Sequence, residues 1–161
     1  QSDLIVNGWT IFATSYFLDE VDALKQGVKN LRRKYPEQWT QKKAAKRLAA
    51  IKKLVLEEIP ADPTREVYRL GKTLGKANKY WHRAKFYQQY RLFFRYHSRQ
   101  RIIVYCWVNN DTTLRAYESK TDAYKVFKKM LKEGHPPNDW DELIAEAIAE
   151  NHRLNGLQGD T

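Results

Sequence analysis

The sequence predicts an α+β domain. Apolar residues recur at three- and four-residue spacing through the first third of the chain, the period of helices buried on one face. Aromatic and β-branched residues then cluster between 80 and 109 in short runs broken by turns, the pattern of a sheet. Helical spacing returns after Thr121. Helices, then sheet, then helices is the segregated order of α+β folds.

Each element follows from its own residues. Phe17, Val21, Leu24, Val28 and Leu31 make the first apolar stripe, which should end near Tyr35-Pro36. A second helix is expected from about Thr40 to Ile59, with Ala45, Leu48, Ile51 and Val55 inward and "PADP" closing it. The two should form a helical hairpin with their lysines outward. "VYRLGKTLGK" brings Gly71 and Gly75 as breakers and reads as a short strand and turn. It lacks the spacing, and the Ser or Thr after the lysine, that a phosphate loop requires. Strands are expected at 80–87, 90–97 and 101–109, joined around Gln88-Gln89 and Ser98–Gln100 as an antiparallel meander. "KTDAYKVFKKML" opens a third helix with Thr121 as its cap, and Tyr124, Phe127 and Leu131 facing inward. "EGHPP" stops it, and a fourth helix begins at about Asp139. No repeat or second domain is visible. One domain over 1–154 and a loose tail over 155–161 are expected.

The 161 residues are 42% hydrophobic and 13% aromatic, enough for a core. No secretory signal and no run of ~18 apolar residues is visible, so neither export nor a membrane span is expected. Cys106 is the single cysteine and sits in an apolar run, so it reads as a structural thiol in a cytoplasmic protein. No metal or cofactor is expected.

The net charge of +10 suggests a polyanionic partner. The charge is also segregated. Lys25 to Lys53 holds eleven cations against Glu37 alone, and Arg65 to Arg101 holds eleven against Glu66. After Pro137 the sign reverses, with six acids against Arg153. On the predicted hairpin, side chains alternate between faces. Tyr90, Leu92, Phe94 and Tyr96 share one; Arg91, Phe93 and Arg95 share the other. Arg83, Lys85 and Tyr87 should join the arginine face. Cations so close repel one another unless an anion uses them. Phosphate accepts bidentately from arginine, and a base stacks on an aromatic ring. Single-stranded RNA offers both, with Arg95, Tyr87, Phe93 and Lys72 as contacts. A site of Arg, Lys and Tyr is able to cleave RNA without a metal, since a basic group takes the 2′-hydroxyl proton and arginines stabilise the growing phosphate charge. His82 and His97, on neighbouring strands, are the alternative pair.

Several stretches carry a resemblance to a known family. They are "VNGW" at 6–9, "QKKAAKRLAA" at 41–50, "GKTLG" at 71–75, "WHRAKF" at 81–86, "YRLFFRY" at 90–96 and the long "WVNNDTTLRAYESKTDAYKVFKKMLKEGHPPNDW" at 107–140. The chain resembles the YhaV toxins of type II toxin–antitoxin systems, in the RelE/ParE superfamily. The resemblance implies a RelE-like fold, with two N-terminal helices on an antiparallel sheet and helices after it. It implies an endoribonuclease that cuts mRNA at or near the ribosome and arrests translation. It also implies a PrlF-type antitoxin with an AbrB-like domain, and a complex that binds operator DNA and represses its own operon. By the same resemblance the basic strand residues of the site fall on Arg83, Lys85 and Arg91. The late cation falls on Arg115 or Lys120, and the late tyrosine on Tyr124 or Tyr117. Two other functions stay open at this point: a toxin of the same fold acting on a protein such as gyrase, and an RNA-binding module without catalysis.

Overall fold

Two short strands precede the first helix in the computed structural model, which describes residues 3–158. Strands β1 (Leu4–Val6) and β2 (Trp9–Ala13) pair antiparallel across Asn7-Gly8. The φ values there are 49° and 80°, and Asn-Gly favours a two-residue hairpin turn of this kind. These strands were not expected. The Asn-Gly pair carried the signal, but its flanks are too short to show alternation.

Helix α1 (Ser15–Lys34) follows at once. The Thr14 hydroxyl accepts from the Phe17 amide and donates to the Cys106 carbonyl at 2.7 Å, so the helix cap is tied to the sheet. Arg32, Arg33 and Lys34 occupy the last turn, where cations suit the helix dipole. Helix α2 (Lys43–Lys53) continues through a wider turn at Leu54–Glu58 to Ile59–Ala61.

The expected meander is present as β3 (His82–Phe86), β4 (Tyr90–His97) and β5 (Ile102–Val108), and the α+β class is borne out. The sheet is larger than the meander. Its order is β1-β2-β5-β4-β3, and β2 runs parallel to β5. Residues 66–81 form two 3₁₀ turns and one bridge, Arg69 to His82, in place of the strand read there. Leu70 and Leu74 are its buried anchors.

Both faces of the sheet are covered. Ile11, Leu92, Phe94, Ile103 and Tyr105 pack with Phe17, Val21, Leu48 and Ile51 of α1 and α2. Phe12, Phe93, Val104 and Trp107 pack on the other side with α3 (Ala123–Lys132) and α4 (Trp140–Ala149). A bulge lies between them: Phe93 faces Trp107, but Phe94 faces Tyr105. Cys106 is therefore the extra residue, and it sits on the same side as Trp107. Burial pushes its thiol up, which fits the structural role expected. Asn155–Gln158 add one helical turn with Leu157 buried, so this part of the expected tail is packed. The remainder of that tail lies outside the described residues.

Candidate active site

Strand register puts the hairpin cations on one face. Arg83 lies opposite Phe93, and Lys85 lies opposite Arg91. That face meets the first turn of α3, where Tyr124 stands. The Tyr124 phenol oxygen accepts from Arg83 Nε at 3.0 Å and from Arg91 Nε at 2.9 Å. Backbone carbonyls hold the two guanidinium groups from behind. Arg83 Nη1 donates to Val67 and Arg69 at 2.9 and 3.0 Å, and Arg91 Nη1 donates to Gln88 and Tyr90 at 2.7 and 2.9 Å. Among the described residues, Nη2 of each arginine is the donor not spent on the fold.

A third cation joins them. The Arg115 guanidinium lies 4.7 Å from the Tyr124 ring and 4.0 Å from the Tyr117 ring. Its Nη1 donates to Asp122 Oδ1 at 2.7 Å. Asp122 is buried and caps α3 through the Tyr124 and Lys125 amides. Burial pushes its carboxyl up, but the Arg115 bond and the backbone donors outweigh that and hold it below the usual carboxylate range. Burial likewise pulls Arg115 down, and the bond to Asp122 more than reverses it. One carboxylate thus fixes both the late arginine and the helix that carries the tyrosine.

The other expected residues divide. Lys85 is exposed on the arginine face. Lys120 is exposed on the turn before α3, and among the described residues no contact joins it to the cluster. Tyr117 is 85% exposed, so both candidate tyrosines flank Arg115, one open and one buried. Three expectations need correction. Phe93 was expected to receive a base, but it is wholly buried, stacked on Phe127 at 4.2 Å and beside Trp107 at 5.9 Å. Arg95 was expected to meet RNA. It is instead buried among Tyr80, Trp81 and Trp140, and its Nη1 donates to the Asn138 carbonyl at 2.7 Å. Tyr87 was expected beside Arg83. Its φ of 44° ends the strand alternation, and its hydroxyl donates to the Lys46 carbonyl on α2. Lys72 is exposed on the turn after Leu70, with no contact to the cluster among the described residues.

Sequence reasoning missed Asn109. It is fully buried at the end of β5. Its Oδ1 accepts from the Arg91 amide at 2.7 Å, and its Nδ2 donates to the carbonyls of Gln89 and Thr113. The Arg115 amide also donates to Gln89. The β3–β4 turn and the loop bearing Arg115 are therefore one unit. A polar residue closing the apolar run of β5 was the available signal.

The two histidines do not form a pair. His82 packs at a tilt against Tyr96 and Phe94, while His97 packs at a tilt against Trp140. Burial pulls His82 down to about 4, with Arg95 and Arg69 nearby. The unfolded chain, near 6.5, takes up a proton first as acid is added. The neutral His82 contribution is present above about 6.5 and is lost as pH falls toward about 4. Urea midpoints measured across that window should fall for the parent, and less for His82→Gln. Parallel curves would remove His82 as the cause.

Among the described residues, no group of three or more His, Cys, Asp or Glu is placed to hold a metal ion, and no helix is long and apolar enough to cross a membrane. A family model described as "Toxin with endonuclease activity, of toxin-antitoxin system" matches residues 11–148. The chain is 47% identical over 143 residues to "Ribonuclease toxin YhaV" of Escherichia coli K12, covering 88% of this chain and 93% of that protein. It is 46% identical over 149 residues to "Toxin YhaV" of Escherichia coli O6:H1, covering 91% and 96%. No solved structure matches. The matched span runs from β2 to the end of α4 and so includes every member of the arginine–tyrosine cluster: the chain belongs to the YhaV family of toxins with endonuclease activity from toxin–antitoxin systems.

Proposed function

We propose that this toxin, a ribonuclease, cuts mRNA at the cluster of Arg83, Arg91, Arg115 and Tyr124. The observation that carries the reading is the convergence of three guanidinium groups on one phenol, with Nη2 of Arg83 and Arg91 unspent. The 2′-oxygen attacks the adjacent phosphorus, the bond to the 5′-oxygen breaks, and a 2′,3′-cyclic phosphate and a 5′-hydroxyl result. Arg83 and Arg91 neutralise the charge that grows on the non-bridging oxygens. Arg115, held charged by Asp122, adds to that field and is poorly suited to give up a proton. The Tyr124 oxygen already accepts two N–H bonds, so its own hydrogen is free to point at the substrate and to be donated to the leaving 5′-oxygen. Lys85, on the same face, assists removal of the 2′-hydroxyl proton or places the strand.

The same reading puts the toxin in the cytoplasm, at or near translating ribosomes. It is restrained there by a PrlF-type antitoxin with an AbrB-like domain, and the pair represses its own operon by binding operator DNA. The test is incubation of purified toxin with RNA in EDTA, with and without ribosomes. Fragments ending in 2′,3′-cyclic phosphate are expected. Cleavage that requires a divalent ion, or fragments carrying 5′-phosphate, would overturn this chemistry.

A further inference from the structure

Across the β3–β4 turn from the arginine cluster lies a cavity of about 290 Å³ lined by Lys43, Lys46, Arg47, Tyr87, Gln89 and Tyr90. Lys46 and Arg47 stand three and four residues after Lys43, on the same side of α2. Lys43 and Lys46 are exposed, whereas Arg47 is only 7% exposed. A buried guanidinium ordinarily spends its donors on close acceptors. Arg47 does not. Its Nη2 meets the Asn109 carbonyl at 3.5 Å, its Nη1 lies 3.6 Å from Asp111, and its Nε has no partner. The Tyr90 ring lies 4.4 Å from its guanidinium carbon. Asp111 marks where an anionic oxygen sits: it accepts from the Tyr90 hydroxyl and lies 3.8 Å from Lys43. Three cations against one carboxylate leave the cavity positive.

We propose that this cavity is a second phosphate subsite, which takes a backbone phosphate of single-stranded RNA after the strand has crossed the β3–β4 turn. The proposal rests on the cluster being the cleavage site. Gln88 and Gln89, exposed at the tip of the turn, link the two sides, since their carbonyls accept from Arg91 and from the Arg115 amide. Tyr87, 55% exposed and fixed to Lys46, is a ring at the cavity mouth on which a base can stack. Lys43 and Lys46 supply charge to the phosphate. Arg47 supplies its unspent donors from beneath. Asp111 is the internal competitor whose place the phosphate oxygens take.

Binding of labelled 2′-O-methyl RNA, which has no free 2′-hydroxyl to attack, separates this subsite from cleavage. One probe has about twelve nucleotides, within the reach of ordinary single-strand sites, and the other has about three. Lys43→Ala/Lys46→Ala should weaken the long probe about tenfold and flatten its log–log salt slope by about 1.4, two contacts at ~0.7 each. Binding of the short probe should not change. Asp111→Asn should tighten the long probe, because it removes the competing charge and keeps an acceptor for Tyr90; inorganic phosphate should compete for the same gain. Unchanged long-probe affinity in the lysine variant, or weaker binding by Asp111→Asn, overturns the subsite. Equal losses on both probes would place the lysines' effect at the cluster and overturn it too. So would displacement of the long probe by polyglutamate but not by phosphate, which would assign the cavity to an acidic protein segment. Parent toxin that binds the long probe as described yet cleaves elsewhere would strike the cluster reading alone.

Discussion

Arg83→Ala and Arg91→Ala should each lower the rate of RNA cleavage by about 10²–10³-fold, the usual cost of removing one donor aimed at transition-state charge. The two differ in what else they disturb. Arg83 is half-buried on the edge strand, and its loss frees two loop carbonyls that reach solvent. Arg91 is 7% exposed on a central strand, and its loss leaves a void beside Tyr124 and two carbonyls without their donor. Arg91→Met fills that void without charge, and is the better partner for Arg83→Ala. Circular dichroism and urea midpoints establish folding first; single-turnover cleavage at saturating toxin then reads the chemical step. Lys29, exposed on α1, is the control. Lys25 would serve less well, because its ammonium donates to the Gly156 carbonyl at 2.7 Å and ties down the C-terminal turn. Folded Arg83→Ala and Arg91→Met proteins that cut at the parental rate would remove the cluster from the chemistry.

What the sequence disclosed follows from which forces are local. The meander and the helices were legible because their apolar periods are written in contiguous residues, and β4 obeys the alternation that put Arg91 and Phe93 on one face. Alternation names a face but not what covers it. Phe93 and Arg95 looked available because α3, α4 and the 66–81 segment are distant in sequence, and their packing on that side buries both. Tyr87 departs for a local reason, a positive φ in a turn without glycine, which β-periodicity does not show. The convergence of Arg115 on Tyr124 was legible only as two alternatives for each role. What brings Arg115 and Tyr124 together is Asp122, which accepts from Arg115 and caps the helix bearing Tyr124. Thr121 had been read as that cap; its neighbour takes the position and thereby couples the cap to the site.

Asp122→Ala should therefore cost both stability and activity. One carboxylate oxygen accepts from Arg115 and the Ala116 amide at 2.7 and 2.8 Å. The other accepts from the Tyr124 and Lys125 amides at 3.2 and 3.3 Å. Removal breaks a mostly buried ion pair, which costs about 3 kcal/mol at the low end of such pairs because Arg115 keeps some solvent access. Loss of the cap adds about 1 kcal/mol. Asp122→Asn is the sharper test. Its single carbonyl oxygen serves either the helix or Arg115 with Ala116, and its NH₂ then faces donors on the other side, so a nearly isosteric change should still destabilise. The pH dependence follows from the depressed carboxyl. Protonation costs the folded state more than the unfolded one, so the Asp122 contribution is full above the unfolded value near 3.9 and is lost as pH falls through the lower folded value. The stability gap between parent and Asp122→Asn should be constant near neutrality and shrink only in acid below about 4. Cleavage should fall in both variants even where urea shows them fully folded, because Arg115 and Tyr124 lose their common anchor. An Asp122→Asn toxin with parental stability and parental cleavage would show that Arg115 is placed by its rings alone, and that the ion pair has no part in the site.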